Sequence, residues 1–179
     1  MSTREDNRVD RSARKSGSKE CKPLINAATP DLYRANPFRI TGLPVDATTR
    51  EITKHADRLK MMEELGQGES VHTAAFSLKP PPTVDQIRDA IQKLNDPERR
   101  IVDEFFWFWP ERFGQSASDP AISALAGGDG ETALKIWTAK ETNPAAGAVA
   151  MHNVAVLWHL TALEWENYAE SAELNPHQR

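Results

Sequence analysis

The stretch from Thr83 to Phe113, TVDQIRDAIQKLNDPERRIVDEFFWFWPERF, restricts what this chain can fold into more than any other. Thr83 and Gln86 have the T-x-x-Q spacing of a capping box, in which two side chains satisfy the first free amides of a helix. Val84, Ile87, Ile91 and Leu94 then recur at helical spacing, so one apolar stripe must face a partner. Asn95-Asp96-Pro97 ends that helix and starts the next. Asp96 can cap, and Pro97 suits a first helical position, where its missing amide costs nothing. The second helix is expected to carry Ile101, Val102, Phe105, Phe106 and Phe108 until Trp109-Pro110 stops it. A helix this short cannot hide aromatics on every side against one neighbour. Phe105 to Trp109 with Phe113 is therefore expected to form a seam with the helices that carry Trp137, Trp158 and Trp165. In the competing reading, Trp107 and Trp109 are an aromatic contact for a partner.

Upstream, Thr48 and Glu51 repeat the capping-box signal, which predicts a helix from Thr49 to about Leu65. Ile52, Ala56, Leu59 and Met62 share one side of it. Ile52, Leu59, Ile87, Ile91 and Leu94 are expected to meet in one antiparallel helix pair. Asn36-Pro37 starts a short helix before this one, and Gly42 can end it in the left-handed conformation that glycine tolerates.

Two separated motifs carry a family resemblance. LNDPERR is similar to the end of a DnaJ-type J domain, where a leucine precedes a short polar D-P-x-x-R turn. NPFRITGLPVDATTREITKHADRL resembles its beginning, with Phe38, Ile40, Gly42-Leu43, Ala47, Glu51-Ile52, Ala56 and Arg58-Leu59 in the expected order. The resemblance covers about half of the chain. It implies a helical hairpin whose basic face meets the acidic surface of a DnaK-type chaperone. On a helical wheel Arg50, Lys54 and Arg58 lie opposite the apolar side and form such a face; the bland reading is an ordinary charged solvent face. The family's His-Pro-Asp tripeptide, which stimulates ATP hydrolysis, occurs nowhere in the chain. Leu65-Gly66-Gln67 stands at the corresponding count, within a loop insertion spanning 66–82.

The remaining sequence frames this centre. Residues 1–31 read as a polar tail, disordered at least as far as Thr29, because they lack apolar periodicity to offset the entropy of ordering. Downstream, Asp119-Pro120 starts a helical extension over 119–174. Gly127 to Gly130 is a turn, Leu134 and Trp137 lie on one helix, and Met151, Ala155, Trp158, Ala162 and Trp165 line up along a longer one. GDGETALKIW with MHNVAVLWHLTALEWE resembles part of a tetratricopeptide array, whose units need neighbours to bury their faces.

Chemistry is hard to place on this chain. The net charge of −4 gives no general pull toward nucleic acid. The glycine turn lacks the lysine and hydroxyl residue of a phosphate loop. The lone Cys21 rules out an intrachain disulfide and any cysteine cluster for zinc. His152 and His159 are about 10 Å apart along one helix, too far to share a metal unaided. No apolar run is long enough to span a bilayer.

The sequence therefore predicts an all-α protein: a degenerate J-like domain over 32–113 and a tetratricopeptide-like extension. Neither metal, cofactor nor catalytic residue is expected. The expected role is noncatalytic protein binding in the cytoplasm, as an adaptor or chaperone-associated factor. The alternative is a co-chaperone that docks a DnaK-type ATPase through Arg50, Lys54 and Arg58. A third class is a helical nucleic-acid binder that uses the basic tail.

Overall fold

The structure, a computed structural model, describes residues 22–65 and 78–174. It is all-α, and no strand occurs among the described residues. The helices are α1 (Lys22–Ala27), α2 (Pro37–Thr41), α3 (Thr49–Glu64), α4 (Val84–Leu94), α5 (Pro97–Phe105), α6 (Pro120–Ala126), α7 (Gly130–Thr138) and α8 (Gly147–Leu174).

Local chemistry sets most of the helix starts. Thr48 with Glu51 and Thr83 with Gln86 both form complete capping boxes. Asn36, Asp96 and Asp119 cap helices that each open on proline. Gly42 closes α2 at φ 70°, and its amide donates to the Phe38 carbonyl. That conformation strains any residue with a Cβ, so the glycine has a backbone reason to be there.

The expected helix pair is present. Ile52 and Leu59 of α3 are buried with Ile87, Ile91 and Leu94 of α4, and Val84, Ala56 and Met62 are half-buried at its edge. Arg88, early in α4, pairs with Glu63, late in α3, at 2.9 Å, which makes the two helices antiparallel. The short α2 packs against α4 and α5. It is buried along its whole length and brings Phe38 and Ile40 into the core.

Ordered structure begins earlier than expected. Residues 22–27, read as part of a disordered tail, form α1, which packs on α5 through partly buried Leu24 and Ala27. Leu32 and Tyr33 follow into the core. Burial raises the Tyr33 hydroxyl to about 12, and it lies 3.1 Å from His159 Nδ1 on α8. The earlier part of that tail and residues 66–77 of the loop insertion lie outside the described residues.

Helix α5 also departs from expectation. It ends at Phe105, so Phe106 to Trp109 are not helical. The reason is geometric: a continued helix would turn several of these rings toward solvent, whereas an irregular segment buries Trp107, Phe108 and Pro110 together. The 3-10 turn Ser116–Ser118 then leads into α6, α7 and α8, which pack in sequence. The chain passes closely from α7 to α8. A Cβ on Gly147 would sit 2.3 Å from the Glu141 carbonyl oxygen, so α8 must open on glycine.

Candidate functional site

The predicted docking face is held as a unit. Arg50, Lys54 and Arg58 are all exposed on α3, and none forms an ion pair or hydrogen bond with another described residue. Of the acids on this helix, Glu51 and Glu63 have other partners, whereas Asp57 lies exposed beside Arg58 and three residues from Lys54. Glu51 accepts from the Thr48 backbone at 2.7 Å, and Glu63 pairs with Arg88. The Thr48 backbone and side-chain hydrogen bonds hold the Glu51 carboxyl below its usual range. The three cations form no close ion pair, although Glu51 and Asp57 on the same helix offset part of their charge, Glu51 through its attraction to Lys54.

A residue that the sequence reading quoted only as part of a motif supports this helix from behind. Arg100, of the D-P-x-x-R turn, donates from Nη2 to the carbonyls of Val45 and Ala47, each at 2.8 Å. Its Nε bonds Glu104 at 2.6 Å, and its guanidinium sits 5.9 Å from the centre of the Phe38 ring. The two separated motifs thus touch, with Arg100 fixing the loop that leads into α3.

Part of the aromatic segment is an internal seam: Trp107 and Phe108 are buried and Phe106 and Trp109 half-buried, whereas Phe105 and Phe113, expected in it, are 44% and 62% exposed, and not all of the expected partners take part. Trp107 is only 7% exposed, so it offers no contact surface, and Trp109 is half-buried. Phe108 stacks on Trp137 at 5.6 Å, and Trp109 stacks on His152 at 4.2 Å. Trp158 and Trp165, expected in this seam, are 60% and 69% exposed and take no part in it. The line from Met151 to Trp165 is the outer face of α8. Its inner face consists of Ala150, Asn153, Val156 and Leu160. Both faces are apolar, so periodicity alone could not choose between them.

What secures the seam is polar. Asn153 is fully buried. Its Oδ1 accepts from the Trp109 amide and its Nδ2 donates to the Trp109 carbonyl, both at 2.8 Å. His152 Nε2 lies 3.0 Å from the Trp107 carbonyl, a contact that requires the proton on Nε2. Burial lowers the His152 pKa, with the hydrogen bond to Trp107 opposing it, so the ring is neutral here. Two neighbouring side chains on α8 thus satisfy backbone groups that no helix serves. His152 could be seen in the sequence only as a histidine of unknown duty, and Asn153 gave no signal.

A second bolt joins α8 to the amino-terminal helices. Arg39, 6% exposed, pairs with Glu164 at 2.6 Å, and Arg34 reaches the same carboxylate at 3.2 Å. Burial opposes the Glu164 charge, but the hydrogen bond and charge of Arg39, reinforced by Arg34, outweigh it and hold the carboxyl low.

Asp103 on α5 behaves in the opposite way. Burial pushes its carboxyl up to about 6, against the pull of Lys93 and Arg99. The folded state therefore holds a proton that the unfolded state releases, and the stability tied to Asp103 is lost as pH rises from about 4 to about 6. Asp103→Asn should remove that loss. We expect it to be more stable than the parent at pH 8 by about 1 kcal/mol, after discounting for solvent screening of a partly exposed group. At pH 4 the two should denature together; equal midpoints at both pH values would contradict the assignment.

Among the described residues no group of His, Cys, Asp and Glu side chains could hold a metal ion, and no helix is long and apolar enough to cross a membrane. The chain matches no family model, no curated protein and no solved structure.

Proposed function

We propose that this chain is a noncatalytic J-like interaction module of the cytoplasm, an adaptor that docks a DnaK-type chaperone without stimulating it. The observation that carries the reading is the exposed stripe Arg50, Lys54 and Arg58, without a close ion pair, on a helix whose other side is core. Charge pairing with an acidic partner needs only sign, reach and an accessible face, and all three are present. Contact between the two motifs that resemble a J domain, through Arg100 and the Ala47 carbonyl, adds support.

The part of the family that acts on the ATPase has no counterpart. Leu65 is an exposed aliphatic residue, and Gly66 and Gln67, which lie outside the described residues, supply no charged or titratable group. Docking without stimulation follows from that division of labour. Binding to an ATP-loaded DnaK-type chaperone, followed by calorimetry, should weaken as salt rises. Lys54→Glu should weaken it about tenfold while leaving the denaturation midpoint unchanged, since the residue is exposed. Affinity indifferent to both salt and Lys54→Glu would reduce the stripe to an ordinary solvent face.

A further inference from the structure

The outer face of α8 has an order that solvent exposure alone does not require. Met151, Ala155, Trp158, Ala162, Trp165 and Ala169 are all exposed, and they follow one another at spacings of 4, 3, 4, 3 and 4 residues. That is the 3.5-residue period of a helix packing along its length against another helix. Large and small side chains alternate strictly along it: Met, Ala, Trp, Ala, Trp, Ala. Since α8 is apolar on its inner face as well, it has the pattern of a helix covered on both sides.

We propose that a second copy of this chain covers this face, with the two α8 helices antiparallel. The alternation supplies the register. With the two-fold axis passing midway between Trp158 and Ala162, Trp158 meets Ala162 of the second copy. In the same register Trp165 meets its Ala155, and Met151 meets its Ala169. Every large side chain then lies over a small one, and one helix face is complementary to itself, as an isologous interface requires. A parallel pair would instead set Trp158 against Trp158 and Ala162 against Ala162, alternating collisions with voids. Large aromatics each bury roughly 150–250 Å² when fully covered. Allowing for the part already covered, the seam with Tyr168 comes to roughly 600 Å² per copy, which for a pair reaches the lower end of specific interfaces. The docking stripe on α3 plays no part in this inference.

Sedimentation of the full chain over a concentration series tests it. The expected result is a reversible dimer with a micromolar dissociation constant. Trp158→Glu, at an exposed position and counted twice in the pair, should raise that constant about 100-fold without loss of helical circular dichroism. The register has its own test. Ala162→Trp should weaken the dimer by setting tryptophan against tryptophan, whereas general apolar stickiness would strengthen it. Trp158→Ala should weaken it by leaving a hole. The two changes together restore a large residue over a small one, and should restore the dimer. A monomer at all concentrations, a dimer indifferent to Trp158→Glu, or a double variant no tighter than the single ones would overturn the proposal.

Discussion

Asn153→Leu should destabilise the protein by about 2–5 kcal/mol. The substitution keeps the approximate volume but removes both partners of the Trp109 backbone, the 2.8 Å bonds to its amide and its carbonyl. A buried donor or acceptor left without a partner costs about 1–3 kcal/mol. Two groups are exposed to that cost at once, on a segment with no helical ladder to replace the loss. The damage should spread to the neighbouring rings, because Trp109 is stacked on His152 and Phe108 on Trp137. Denaturant unfolding measures the first effect, and near-ultraviolet circular dichroism of the tryptophans reports the second. An unchanged midpoint would mean that water serves the Trp109 backbone as well as the amide does.

Phe38→Ala is expected to cost about 3–5 kcal/mol, the range for removing a fully buried aromatic. Phe38 is only 1% exposed and lies where α2 packs against α4 and α5. Arg100 lies over its ring while holding the Val45 and Ala47 carbonyls, so the cavity opens beneath the loop that enters α3. Phe38→Leu should cost much less, because most of the volume stays. If the alanine and leucine variants unfolded at the same denaturant concentration, packing at this position would not be what holds α2, α4 and α5 together.

What the sequence made legible was chemistry that acts within a turn or two of the chain. Capping boxes at Thr48 and Thr83, proline-first helices after Asn36, Asp96 and Asp119, and the left-handed Gly42 are all read from neighbours in sequence, and all are present. The apolar stripes of α3 and α4 could likewise be paired, because each of those helices has only one such stripe.

The rest depended on distant partners. Nothing within FFWFWP says that the helix stops at Phe105; that follows from Asn153, 44 residues away, which satisfies the backbone left over. Helix α1 is short and without a buried side chain of its own, so only its packing on α5 distinguishes it from a tail. Helix α8 has two apolar faces, and the one chosen from the spacing of its tryptophans is the one turned to solvent. The candidate docking stripe was legible because opposite faces of a single helix are fixed by its period. That its cations form no close ion pair was not, since ion pairing is decided by tertiary placement, as where Glu63 reaches Arg88 on α4.

Docking and stimulation are separable, and only the first is proposed for this chain. Single-turnover ATP hydrolysis by a DnaK-type chaperone, with and without the full chain at saturating concentration, is the most direct measurement. The expected result is an unchanged rate alongside salt-sensitive binding through Arg50, Lys54 and Arg58. A rate increase abolished by Lys54→Glu would contradict it and make the protein a co-chaperone that stimulates without His-Pro-Asp.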